Sequence, residues 1–311
     1  VTFSVTILGS SSALPTSQRF PSAHVLNAHE RLFLIDCGEG TQMQLRKYKQ
    51  KLSRIERIFI SHLHGDHVLG LIGLLSTLNL LGRKTPLTLY AHAQFEPIFQ
   101  QNLKFFINDL KYDIAFVPIS NSKQKSVLFE DDQLIIETFP LKHRIPCNGF
   151  IFREKAKELN IKKPLIEKHS IPLSEIVKIK QGEDFTLPTG EVILNSELTY
   201  LASTPRSYAY CSDTMFFSKL AEYVNGVDLL YHEATFGSEM AKLAKQTGHS
   251  TAADAAKIAA LANAKKLVIG HFSSRYKNVA PLLSEAQQIF PNTYAATEGD
   301  IFKIEDTKVK L

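Results

Sequence analysis

Residues 58–70 read IFISHLHGDHVLG. Four side chains able to bind a metal, His62, His64, Asp66 and His67, fall within six consecutive positions. The apolar run Ile58-Phe59-Ile60 leads in, and a long apolar segment over 69–81 leads out. The first reads as a buried strand and the second as a buried helix. The cluster thus lies where a strand hands over to a helix. In α/β sheets ligands bind there, outside the carboxyl ends of the strands.

The same arrangement recurs along the chain. TFSVTILG, AHVLN and RLFLIDCGEG read as strands, the last ending at Asp36, with a helix in TQMQLRKYKQ. LTLYAH is a strand and EPIFQQNLKFFI a helix, and AFVPI, SVLFE and QLIIETFPLKH form a run of strands ending at His143. SYAYCSD ends at Asp213, VDLLYHEATF passes through His232 and Glu233, and KLVIGH ends at His271. Between them HSTAADAAKIAALANAKK carries an N-cap at Ser250 or Thr251, an acidic residue at Asp254 and closing lysines, the marks of a helix. VAPLLSEAQQIF adds a helix, and TYAATEGDIFKIED supplies closing strands. Two strand-rich halves, each with helices, predict an α/β sandwich of two face-to-face sheets with helices outside.

Composition agrees with a globular chain. Of 311 residues, 44% are hydrophobic and 22% charged. The formal charge of +5 is compatible with an anionic partner without establishing one. Three scattered cysteines, Cys37, Cys147 and Cys211, argue against a disulfide framework and suit a reducing compartment. The opening VTFSVTILGSSSALP has neither a basic nor an apolar leader region, so no targeting segment is expected. The apolar stretch 69–82 carries Ser76, Thr77 and Asn79 and falls short of the roughly 20 apolar residues of a bilayer span, so no membrane segment is expected.

Residues 151–200 break the rhythm. They are polar and weakly periodic, and 153–180 holds eight Lys/Arg against four Asp/Glu. The segment reads as an insertion, either a solvated excursion or an arm that touches a polyanion.

A lone histidine at a strand end is ordinarily a hydrogen-bonded structural residue, and His24, His29, His92 and His169 are read so. His-x-His-x-Asp-His is different. Neutral imidazoles and carboxylates bind zinc or manganese, and catalytic sites leave a position open for water. Three histidines and an aspartate on one short loop exceed one ion's needs. Two ions are the natural account, with His143 and His271 completing one each and Asp213 bridging. A pair of ions about 3.5–4 Å apart stabilises both the attacking and the leaving oxygen of an in-line displacement.

SHLHGDH resembles the signature of the metallo-β-lactamase fold. Gly38–Gln42 (GEGTQ), His232–Phe236 (HEATF), Gly248–Thr251 (GHST) and Gly270–Tyr276 (GHFSSRY) resemble, more narrowly, the ribonuclease Z family of tRNA 3′-processing endonucleases in its short form. The likeness runs from ILGSSSALP to EGDIFKI, nearly the whole chain. It implies a four-layer αβ/βα sandwich spanning 1–311 and an inserted flexible arm over 151–200 that clamps tRNA. It also implies two Zn2+ per subunit, with Mn2+ an alternative. His62, His64 and His143 would hold the first ion. Asp66, His67 and His271 would hold the second, with Asp213 between. Asp66 would also orient the attacking water, and Glu233 with His249 would form a proton-donating pair. Arg275, Ser273 and Ser274 would grip the scissile phosphate, and Arg19 belongs to a loop that senses the nucleotides after the cut. Asp36 is either an orienting partner of a ligand histidine or a plain turn residue.

The implied activity is metal-dependent removal of the 3′ trailer from precursor tRNA, leaving a 3′-hydroxyl and a 5′-phosphate, in a cytoplasmic homodimer. The shared signature also admits a hydrolase of small phosphodiesters, thioesters or lactones. A non-enzymatic RNA-binding protein with a structural metal is the third reading, and the full ligand set counts against it. The chain departs from the family pattern in three places. The arm has no adjacent Gly-Pro. In the 15–20 loop, Pro15 and Arg19 match the pattern while Ser17 and Phe20 replace Lys and Asn. His92 stands in a segment, Tyr90–Gln94, where relatives carry Tyr-Gly-Pro.

Overall fold

The structure, a computed structural model of the chain, describes residues 2–107, 109–120, 124–201 and 203–306. These form two compact units. The first comprises the described residues of 2–129, 136–152 and 207–304, the second those of 130–135, 153–206 and 305–306.

The first unit is built on two seven-stranded sheets. One runs in the order Ile301–Lys303, Phe3–Gly9, Ala23–Ala28, Arg31–Ile35, Ile55–Phe59, Leu87–His92, Ile114–Ile119. Its pairs are antiparallel up to Arg31–Ile35 and parallel from there on. The other runs Thr293–Ala295, Leu267–Gly270, Leu229–Glu233, Ser207–Cys211, Asn148–Glu154, Leu134–Pro140, Ser126–Glu130. Its first four strands are parallel.

Period-two alternation explains the layering, because successive strand side chains face opposite ways. Leu32, Leu34, Ile58 and Leu89 pack under the helices Thr41–Lys47, Leu71–Leu80 and Glu96–Phe106. The alternate residues Phe33 and Phe59 face the second sheet, where their rings meet Phe150 and Phe152 at centroid distances of 5.4–6.0 Å. On the second sheet Ala209, Cys211 and Leu230 lie under the helices Ala252–Leu261 and Ala280–Ile289, while Tyr208, Tyr210 and Tyr231 are fully buried at the alternate positions. Aliphatic residues face helices and aromatic ones fill the seam between sheets. This is the expected αβ/βα sandwich.

Three local expectations change. The single helix over 69–81 is instead a short helix, Gly65–Val68, followed by Leu71–Leu80. The break lies at Gly70, whose N–H donates to Cys37 O at 2.9 Å. A Cβ there would come within 2.0 Å of Gly38 O, so the approach of two backbones displaces helix continuity. The strand Asn148–Glu154 went unread, because its apolar residues adjoin the polar insertion. The insertion itself carries secondary structure. The second unit has helices Lys163–Lys168 and Leu173–Lys180, two short antiparallel ladders, and a core of Ile171, Ile179, Phe185, Ile193 and Leu198. Within it the buried pair Glu154–Arg206 is bidentate, at 2.7 and 2.8 Å.

The helix Ala252–Leu261 begins as its sequence announces. Thr251 Oγ1 accepts from Asp254 N at 3.1 Å and Asp254 Oδ2 accepts from Thr251 N at 3.2 Å, a capping box. Thr251→Ala is expected to lower unfolding free energy by about 1 kcal/mol, read as a shifted urea midpoint with an unchanged slope.

Candidate active site

The strand ends converge as the topology requires. Asp36 follows Arg31–Ile35, His62 follows Ile55–Phe59, and Asp213 follows Ser207–Cys211. Glu233 closes Leu229–Glu233, and His271 follows Leu267–Gly270. His62, His64, His143 and Asp213 bring ligand atoms within 4.8 Å of one another, and so do Asp66, His67 and His271. All seven residues expected to hold metal are therefore assembled in one cluster.

Asp213 stands between the two groups. Its Oδ2 lies 3.5 Å from His62 Nε2 and 3.7 Å from His143 Nε2, while its Oδ1 lies 3.4 Å from His67 Nε2 and 3.2 Å from His271 Nε2. Asp66 Oδ2 faces His271 and His67 at 3.4 and 3.5 Å and accepts the Ala13 N–H at 2.7 Å.

The imidazole tautomers follow from their partners. His143 Nδ1 meets the Gly248 carbonyl at 2.8 Å, so it carries the proton. His67 Nδ1 donates to Asp36 Oδ2 at 2.7 Å. Ser61 Oγ donates to Asp36 and so accepts from His62 Nδ1 at 3.0 Å. Thr235 Oγ1 donates to Glu233 and so accepts from His271 Nδ1 at 3.0 Å. Each of these rings then aims an Nε2 lone pair inward. His67 Nε2 and His271 Nε2 face each other at 3.3 Å, and His62 Nε2 faces His64 Nδ1 at 3.0 Å. Lone pairs converging at such distances repel unless a proton or a cation lies between them.

The electrostatics lead to the same conclusion. Burial and the neighbouring His67 push His62 down to about 4, which favours the neutral, ligating form. Burial also opposes charge on His67, but Asp213, Asp66 and Asp36 outweigh it and hold its pKa well above the ordinary value. The carboxylates therefore draw a proton onto the ring in place of a cation. Asp213 Oδ1 is buried and has no hydrogen-bond partner among the described residues. Nitrogen and oxygen donors of this kind suit a divalent cation, and the residues present fit two.

Beside the cluster, His249 Nδ1 lies 2.9 Å from Glu233 Oε1. Glu233 is fully buried and also accepts from the backbone of Thr214, Thr235 and Ser250 at 3.0–3.1 Å. Burial opposes charge on His249, yet Glu233 and Asp213 raise its pKa to about 9. The protein's own charges thus favour a protonated His249.

A cleft of ≈ 330 Å³ opens over these groups, lined by His64, Asp66, Asp213, His249 and His271 among others. The remaining expected residues stand apart from that lining. Arg19 Nη2 donates to the carbonyls of Ser273 and Tyr276 at 3.2 and 2.7 Å, which staples the N-terminal loop to the turn after His271. Ser273 is buried in that turn, its N–H on Thr235 O, and Arg275 is exposed. Glu298 Oε1 gathers Ser10 N, Ser10 Oγ and Phe20 N, each at 3.0 Å, and so clamps both ends of the same loop.

Asp36, Thr235 and Arg144 complete the surroundings of the site, the first in one of the two roles its sequence left open and the other two unread. Asp36 is the orienting partner of His67 and also accepts from Tyr210 Oη at 2.7 Å and Ser61 N at 2.7 Å. Thr235 joins Glu233 to His271, and its place two residues after Glu233 was the available signal. Arg144 lines the cleft beside His143. Of the histidines read as structural, His24 packs edge-on between Tyr210 and Tyr231, and His92 Nε2 contacts Ser61 O at 3.2 Å.

A sandwich with a histidine- and aspartate-lined cleft along its strand ends defines a protein of the metallo-β-lactamase fold. A family model described as Anti-Pycsar protein Apyc1 matches residues 3–156. Over 306 residues the chain is 47% identical to Ribonuclease Z of Phocaeicola vulgatus, covering 98% of this chain and 99% of that one. It is 48% identical to Ribonuclease Z of Bacteroides fragilis over 297 residues, 96% of this chain and 97% of that one. The crystal structure of human tRNase Z, short form, aligns with a TM-score of 0.70 at 27% identity, over 97% of this chain and 99% of that one. The chain belongs to the ribonuclease Z family.

Asp36→Ala removes the acceptor that fixes His67. Zinc affinity, measured by chelator competition, is expected to fall about 10- to 100-fold.

Proposed function

We propose that this protein is a zinc-dependent endoribonuclease that removes the 3′ trailer from precursor tRNA. The reading rests above all on Asp213, whose two carboxylate oxygens face two separate donor groups, with the Glu233–His249 pair on the same cleft. Family membership supplies the substrate class.

His62, His64 and His143 would hold one Zn2+, Asp66, His67 and His271 the other, and Asp213 both. When bound, such ions acidify water and neutralise phosphate charge. The chain's own residues do the rest. Asp66 orients the attacking water. His249, held by Glu233 through Nδ1, has Nε2 left to deliver a proton to the departing 3′ oxygen. Arg275, exposed on the turn after His271, contacts the phosphate backbone, and Ser273, buried in that turn, supports it. Arg19 positions the turn that carries them, through the carbonyls of Ser273 and Tyr276. The arm, read as the insertion over 151–200, grips tRNA through its phosphates and shape. The three cysteines are unpaired. That supports the cytoplasmic assignment, and a homodimer is the assembly proposed with it. No described helix is long and apolar enough to cross a membrane.

The test is cleavage of a 5′-labelled precursor tRNA, with the product end mapped to the nucleotide. A single EDTA-sensitive cut after the discriminator base or after CCA is expected. The absence of a cut by metal-loaded protein would overturn the reading. Asp213→Ala and His64→Ala are expected to abolish hydrolysis of precursor tRNA and of bis(p-nitrophenyl) phosphate alike. Deleting 153–197 is expected to abolish tRNA cleavage and leave hydrolysis of the small diester intact. Equal loss of both would refute that division of labour.

A further inference from the structure

The cleft must admit a polyanion, yet its walls are acidic. Asp66 and Asp213 lie at its floor, and the exposed Glu39 is also on its lining. Among the described residues lining it, Arg144 is the one lysine or arginine. Arg275, the residue the sequence nominated for phosphate, is not on that lining.

The backbone that carries Arg144 is held from both sides. The loop that carries it is tied by Leu141 N to Cys147 O at 2.9 Å and by Met215 N to Lys142 O at 2.8 Å. Lys142 N donates to Thr214 Oγ1 at 3.0 Å, and the neighbouring His143 is fixed through Nδ1 to Gly248 O at 2.8 Å. The side-chain stem lies along Gly248, where a Cβ would stand 3.4 Å from Arg144 Cγ and 3.0 Å from His143 Nδ1. Gly248 has φ +76°, so the turn that presents His249 leaves room for the arginine stem by lacking a side chain. The guanidinium is exposed and forms no ion pair among the described residues. An uncommitted fork of N–H donors, carried on a fixed backbone next to His143 and on the same cleft lining as His249, matches two non-bridging oxygens of a phosphodiester.

We propose that Arg144 binds a backbone phosphate of the RNA in the cleft, on the side where His249 stands. This rests on the endoribonuclease reading above. Arg144 would supply the fixed positive charge that the acidic lining lacks.

The experiment compares zinc-loaded wild type, Arg144→Ala and Arg144→Lys on precursor tRNA across a salt series, and on bis(p-nitrophenyl) phosphate. Arg144→Ala is expected to lower kcat/KM on precursor tRNA about 10- to 100-fold, the range for a charged hydrogen bond, chiefly through KM. It is also expected to flatten the log–log salt dependence by about 0.7–1, one phosphate contact. Arg144→Lys keeps the charge without the fork, so it is expected to restore the salt slope and only part of the affinity. Zinc content and melting midpoint serve as the check on folding. A salt slope unchanged in Arg144→Ala, with kcat/KM within about twofold of wild type, would overturn the proposal. If wild type leaves precursor tRNA uncut but hydrolyses the small diester, the endoribonuclease reading fails, and the diester decides the residue. A KM for the diester raised about tenfold in Arg144→Ala supports a phosphate contact, and an unchanged KM overturns it.

Discussion

Four carboxylates, Asp36, Asp66, Asp213 and Glu233, share one small region with six imidazoles. Asp36, Asp213 and Glu233 are essentially inaccessible. Burying unpaired carboxylates is costly, and a sandwich interior supplies no water to offset it. Among the described residues no lysine or arginine pairs with them, and their cationic partners are histidines. The cluster is therefore built around a deficit of positive charge. Ring protonation at His67 and His249 fills part of it, and the inward-facing nitrogens mark where a divalent cation fits.

That demand shapes the surrounding backbone. Asp36 and His271 are held at positive φ, 57° and 60°, a conformation unfavourable for residues with side chains. Both lie immediately after strands, where the chain must turn sharply to aim a side chain along the sheet edge. Gly38 and Gly70 serve the same end by allowing the turn after Asp36 to touch the loop that carries Asp66. A Cβ on Gly38 would come within 2.4 Å of Asp66 O. Local strain and missing side chains are concentrated around the ligands, while the aromatic seam between the sheets provides the rigidity that holds them.

Much of this was legible in the sequence, because strand alternation and strand ends are local properties. Each ligand stood at the end of an apolar run, and parallel pairing of those runs brings their ends together. Thr251 and Asp254 announced their helix through chemistry three residues apart. What escaped depends on partners distant in the chain. Gly70 looks like a tolerable helix residue until the Cys37–Gly38 backbone is laid against it. Arg19 reads as a substrate contact until its guanidinium is found on the carbonyls of Ser273 and Tyr276, some 250 positions away. The second unit shows weak periodicity because its described helices are only four to eight residues long, too short to display a full apolar stripe.

The charge deficit that makes the cluster a good cation site also makes it a poor phosphate site. The exposed Glu39 stands on the cleft lining, and the Nδ1 atoms of His143, His271 and His67 are already engaged by carbonyl, hydroxyl or carboxylate partners. Attraction at long range therefore has to come from charge placed elsewhere on the chain, such as the basic stretch 153–180, where eight lysines and arginines face four acids. Orientation at short range needs a donor that competes neither with the metal ligands nor with their supports. An arginine set on the loop of one ligand histidine, its stem against a glycine and its head exposed, meets that requirement without adding a cation to the buried cluster. Cation binding and anion recognition can then occupy neighbouring positions without cancelling each other.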